Sequence, residues 1–89
     1  MEKPDITDSR LFLTDADMRR ERERAAHMGW GFTRASLERQ FKRFEKGDYR
    51  SKAAVYYLLT DCNYHTVAAA LAEYDVEKAR RLADQMFGV

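Results

Sequence analysis

Apolar residues recur along this chain at helical spacing, interrupted by short polar segments that carry cap and turn residues. The clearest stripe is Leu37, Phe41 and Phe44 at i, i+4 and i+7, which lines one face of a 3.6-residue period. It predicts a helix over about 34–46, begun by Thr33 and ended by Gly47. A second stripe, Val76, Ala79, Leu82, Ala83 and Met86, predicts a helix over about 76–87. Asp75 starts it, Glu77 lies in its first turn, and Gly88 ends it. Between the two, Ala53, Val55, Tyr56, Tyr57, Leu58 and Leu59 leave almost no polar face. A helix from Asp48 or Ser51 to about Leu59 should therefore lie at the centre. A buried strand over 54–59 fits the same run, but no second strand-like run exists to pair with it. Thr66 to Ala72 is small and apolar, which predicts a further helix over about 64–73, capped by Asp61 or Asn63. Its small side chains permit close backbone approach.

The N-terminal third departs from this pattern. Residues 1–10 are polar, contain Pro4 and show no period, so they read as a flexible arm. Leu11, Phe12 and Leu13 form a short apolar patch before Thr14, which with Asp17 matches a capping pattern. The helix that follows, about 15–28, is stopped by Gly29. Residues 19–24 are six consecutive charges, so no apolar stripe crosses its centre. Surface pairs such as Arg19–Glu23 and Glu21–Arg24 contribute only about 0.2–0.5 kcal/mol each. Docking is left to Met18 and to Ala25 through Met28, and the helix either projects into solvent or waits for a partner. The expected fold is all-α: one compact domain of four to five short helices over 11–89, orthogonal or bundle-like.

Composition narrows the class. A length of 89 residues allows one domain. One cysteine, Cys62, excludes an internal disulfide. No apolar run approaches the roughly 18 residues of a membrane span, and no segment has the pattern of a signal peptide. The expectation is a cytoplasmic protein with a free thiol and no membrane partner.

The net charge of +1 conceals an asymmetry. Residues 19–52 hold eleven Lys and Arg against five Asp and Glu. Residues 1–18 hold two against five, and residues 53–89 three against five. A basic middle between acidic flanks suggests an acidic or polyanionic partner. The alternative is that the flanks fold back and neutralise it.

Candidate chemistry is sparse. Asp61, Cys62 and His65 fall within one turn, but a structural zinc site needs four ligands and the only other histidine is His27. A capping loop with a small buried thiol accounts for the three. His27 sits at a helix C-terminus, where a cation is favoured. Gly29-Trp30-Gly31 lacks the lysine and spacing of a phosphate loop. No paired carboxylates lie in an apolar setting that would suggest acid–base work. The chain is therefore expected to be no enzyme and to use no cofactor or metal.

Residues 65–86 resemble a helix-turn-helix DNA-binding unit through Ala69, Ala72, Tyr74, Ala79 and Leu82. That resemblance implies a second helix offering Lys78, Arg80 and Arg81 to a major groove. The segment departs from the motif at Glu73, where glycine is usual, and it is net acidic. The run Tyr74-Asp75-Val76-Glu77-Lys78-Ala79 is also similar to part of a tetratricopeptide hairpin, without its early Trp and Gly. Each covers about a quarter of the chain, and neither assigns a family.

Two functions follow as expectations. The first is a non-enzymatic regulatory or interaction protein that binds an acidic protein surface through Arg19, Arg20, Arg22, Arg24, Trp30, Arg39, Lys42, Arg43 and Lys46. The second is a nucleic-acid binder using the same basic face, with Lys78, Arg80 and Arg81 as further contacts. There Trp30, Phe32 and Tyr49 would be the rings free to stack on bases, since Phe41 and Phe44 belong to the core. A homodimer is the remaining expectation, because so apolar a third helix could need a second copy to cover it.

Overall fold

Thr14 opens the first helix with a complete capping box. Its hydroxyl accepts from the Asp17 N–H, and the Asp17 carboxylate accepts from the Thr14 N–H. The computed structural model describes residues 3–29 and 33–88. They form a short 3-10 turn, Ser9–Leu11, followed by α1 (Asp15–Met28), α2 (Arg34–Lys46), α3 (Tyr49–Asp61), α4 (His65–Ala72) and α5 (Val76–Phe87). Among the described residues there is no strand. The fold is all-α, and the apolar run 54–59 is helical.

Side-chain caps set most helix starts. Thr33 accepts from Ser36 N–H at α2, Asp48 from Ser51 N–H at α3, and Asp75 from Lys78 N–H at α5. Gly29 and Gly88 end α1 and α5 in the left-handed region, at φ 66° and 70°. At α4 the N-cap position falls on Tyr64, so neither Asp61 nor Asn63 caps it. Asn63 instead takes φ 65° to turn the chain between α3 and α4. The Tyr64 N–H closes that turn on the Leu59 carbonyl at 2.9 Å.

α3 is the central helix. It buries Ala53, Ala54, Val55, Leu58 and Leu59, and α1, α2, α4 and the 3-10 turn all pack against it. The apolar third helix is thus covered within one chain, which removes the reason for expecting a second copy. Phe41, Phe44 and Leu37 of α2 meet Val67 and Leu71 of α4 and Ala79 and Ala83 of α5 in one core. The small residues of α4 and α5 let these helices pack closely across the turn 73–75. The α5 stripe is narrower than its sequence suggests: Met86 is 45% exposed, because only Ala79 and Ala83 face fully inward.

Two sequence expectations need correction here. The N-terminal arm is docked along part of its length. Ile6 is fully buried in the core, and the Tyr74 hydroxyl donates to the Pro4 carbonyl at 2.6 Å. One isoleucine in a polar segment shows no period, so its burial leaves no pattern to read. The second concerns α1. Met18 and Ala25 dock as expected, but Ala26, His27 and Met28 are exposed, and Asp17 and Glu21 complete the inward face.

Tyr74 holds φ 61°, a left-handed conformation that costs a bulky side chain energy. Its ring is fixed against Phe44 and Tyr49, at centroid distances of 5.8 and 6.4 Å, and by the Pro4 hydrogen bond. The N-terminal segment, the α2–α3 corner and the α4–α5 turn therefore meet on one residue. Ile6→Ala is expected to lower stability by about 2–5 kcal/mol, as other large-to-small core changes do. Thermal unfolding measures it, and an unchanged midpoint would mean the N-terminal segment is not part of the core.

At the α2–α3 corner, a Cβ on Gly47 would stand 2.6 Å from Ser51 Cβ and 2.8 Å from the Arg43 carbonyl oxygen. Gly47→Ala should cost about 1–3 kcal/mol by overpacking, read as a lower midpoint in urea.

Candidate binding surface

α1 has few apolar side chains to bury, so its inward face mixes Met18 and Ala25 with the carboxylates Asp17 and Glu21. Glu21 lies between α1 and α2, and both its oxygens are taken by the Arg43 fork at 2.8 and 3.0 Å. Asp17 Oδ1 accepts from Arg20 of α1 at 2.5 Å and pairs with Arg50 of α3 at 2.6 Å. Only 10% of the Asp17 side chain is exposed and 17% of Glu21. A helix of this charge is therefore held to the body by carboxylates aimed inward at arginines of α2 and α3.

The carboxyls respond as expected. Arg50 first, then the Thr14 N–H and Arg20, hold Asp17 well below the ordinary carboxylate range. Burial pushes Glu21 up, but the Arg43 fork and the fields of Arg43, Arg24 and Arg50 outweigh it, so its carboxyl also sits low.

A second set of pairs joins α2 to α5. Arg80 reaches Glu38 at 2.9 Å, Glu45 at 2.7 Å and Glu77 at 3.0 Å. Arg34 pairs with Glu38 at 3.1 Å and with Asp84 at 2.7 Å. Arg80 holds the Glu38 carboxyl low, and Arg34 adds to this against the cost of burial.

These pairs sort the predicted contact residues. Arg20, Arg43 and Arg80 are bound to carboxylates, and Lys78 lies 3.8 Å from Glu73. Arg80 is therefore turned toward α2 and away from any groove that α5 could enter. The left-handed residue of the α4–α5 turn is Tyr74, one place beyond the Glu73 position where the helix-turn-helix motif carries glycine. Trp30 and Phe32 lie outside the described residues. Tyr49 is 43% exposed, with its edge against Tyr74 and the Lys52 ammonium 5.9 Å from its centroid.

Two groups of cations stand out beyond these pairs. Arg39, Lys42 and Lys46, at i, i+3 and i+7, form one exposed ridge of α2 about 10 Å long. Among the described residues none of the three has an ion pair, although Arg39 donates to the Ser36 hydroxyl at 3.2 Å. The second surrounds a depression of about 260 Å³ between α1 and the start of α3, lined by Asp17, Arg20, Glu21, Arg24 and Arg50. Arg24 has no ion pair among the described residues, and Arg19, Arg22 and Arg81 are likewise exposed without one. Arg50 is the residue that sequence reasoning missed. It sits two places after the Asp48 cap, and nothing in its neighbourhood marks a tertiary role.

Cys62 is exposed, not the buried thiol expected from sequence, and partial desolvation together with Asp61 pushes its thiol up. Among the described residues no three His, Cys, Asp or Glu side chains are grouped to hold a metal ion, and no helix is long and apolar enough to cross a membrane. Comparison with known proteins finds no matching family, no similar characterised protein and no similar solved structure.

The lowered carboxyls of Asp17, Glu21, Glu38 and Asp48 set a pH dependence. In the unfolded chain they return to about 4, so the folded state binds fewer protons as the pH falls through that value. Their contribution is complete above about pH 5 and is lost progressively as the pH falls from about 4 through their lowered folded values. Glu21→Gln should cost about 1–3 kcal/mol, because it leaves Arg43 half-buried without its charged partner. It should also flatten the acid limb of a plot of unfolding free energy against pH. An unchanged acid limb would mean that Glu21 carries no such charge.

Proposed function

We propose that this chain is a non-enzymatic interaction protein that docks the acidic surface of a protein partner on the cationic face of α1 and α2. One observation carries this reading. Arg39, Lys42 and Lys46 stand in a row on α2 without carboxylate partners among the described residues, while Arg34, Arg43 and Arg80 beside them are neutralised. The pairing of those neighbours leaves the ridge as a distinct strip, flanked by structural ion pairs on both sides. Such a strip matches a row of acidic side chains and speeds encounter with a negative surface. Arg24 extends the face onto α1.

The nucleic-acid reading draws on the same ridge but loses Arg80, and α5 begins with Asp75 and Glu77, which repel phosphates. The protein reading is therefore preferred.

Fluorescence anisotropy with a labelled glutamate-rich peptide and a labelled DNA duplex separates the two. The peptide should bind at low salt, release as salt rises, and bind at least about tenfold more weakly to the Arg39→Glu, Lys42→Glu, Lys46→Glu triple variant. Duplex binding tighter than peptide binding at the same salt would replace this reading with the nucleic-acid one. Binding to neither ligand would end both.

A further inference from the structure

The depression between α1 and α3 holds more hydrogen-bond donors than its own carboxylates can use. Arg20 donates to Asp17 from Nη2 at 2.5 Å, and the Arg50 Nη2 lies 2.6 Å from the same oxygen. Arg24 lines the same depression with no carboxylate paired to it among the described residues. A guanidinium carries five N–H donors in a planar fork, so most of these donors remain available. The Arg20 side chain is 73% exposed and that of Arg50 58%. The carboxylates are occupied: Asp17 Oδ2 accepts from the Thr14 N–H, and both Glu21 oxygens accept from Arg43. The three guanidiniums outnumber the two carboxylates of the lining, and the Arg43 fork offsets Glu21 while Asp48 acts on Arg50, so the hollow keeps a net positive charge.

We propose that the Arg20, Arg24 and Arg50 side chains around this hollow form a binding site for a phosphate monoester, supplied by a phosphorylated side chain of the protein partner. The proposal rests on the binding function given above and names one group the partner presents. A phosphate at neutral pH carries nearly two negative charges and three acceptor oxygens, which suits three guanidiniums around one hollow of net positive charge. A carboxylate offers one charge and two oxygens, and the site already holds one in Asp17. Arginine forks also match phosphate oxygens in pairs, which lysines do not. The site depends on α1 and α3 being held together, because Arg20 and Arg24 come from one helix and Arg50 from the other. Asp17 acts as the positioning residue, since it fixes Arg20 and Arg50 by their tips.

The test uses the full chain and one glutamate-rich peptide with a central serine, prepared unmodified and phosphorylated. The phosphorylated form should bind about tenfold more tightly, a gain of ~1.4 kcal/mol. Arg24→Gln should erase most of that gain, so that the two peptides bind nearly alike, and should leave the thermal midpoint unchanged, since Arg24 has no ion pair to lose. Equal affinity for the two peptides would overturn the phosphate site while leaving the acidic-partner function standing. So would a phosphate preference that survives both Arg24→Gln and Arg50→Gln.

If neither peptide binds, the broader function fails, and titration with inorganic phosphate decides the site alone. Saturable shifts of the Arg20, Arg24 and Arg50 Nε–H resonances support it, and their absence overturns it. Displacement of the phosphopeptide by AMP more readily than by phosphoserine would overturn a protein source for the phosphate.

Discussion

The Glu21–Arg43 fork is the contact on which the arrangement of this protein depends. A helix with six successive charges offers a hydrophobic core little beyond Met18 and Ala25. It can lie against one only if its inward carboxylates meet cations there. Arg43 of α2 supplies one and Arg50 of α3 the other, through Asp17. Neither pair is fully desolvated, so each keeps some hydration while gaining Coulomb attraction at a reduced dielectric. The apolar core beneath, from Ile6 through Phe41 to Ala83, gives the body its stability. The ion pairs decide where α1 rests on it.

The same pairing fixes which charges face outward. With near equality of acidic and basic residues, the surface could have been electrically uniform. Instead Glu38, Glu45 and Asp84 gather Arg34 and Arg80 at the α2–α5 seam, and Glu21 gathers Arg43 at the α1–α2 seam. What remains on α2 is the single row Arg39, Lys42 and Lys46, and α1 keeps Arg19, Arg22 and Arg24, the last of them lining the arginine-rich hollow. The seams hold the fold, and the leftover cations provide the surface that a partner would meet. The basic middle of the sequence is therefore partly spent on internal neutralisation and partly free.

Much of the architecture could be read from local chemistry. Thr14, Thr33, Asp48 and Asp75 cap helices where their sequence context places them, and Gly29 and Gly88 end two of them. These signals act over three or four residues, so a single sequence contains them. The docking of α1 was legible only in part: Met18 and Ala25 were expected to dock, but the inward carboxylates Asp17 and Glu21 carry no apolar signal. Ile6 was missed because one buried side chain has no period. The sorting of cations was least legible of all. Glu21 and Arg43 are 22 residues apart, Arg80 and Glu38 42, and Arg34 and Asp84 50. A charge count along the chain cannot distinguish a guanidinium held by a distant carboxylate from one left in water.

Amide hydrogen exchange at low and high salt tests most directly whether charge holds α1 in place. If the carboxylate–guanidinium pairs hold it, protection of the α1 amides should fall as salt screens them, while that of α3 and α4 stays constant or rises. Protection in α1 that matches α3 and does not change with salt would contradict the account.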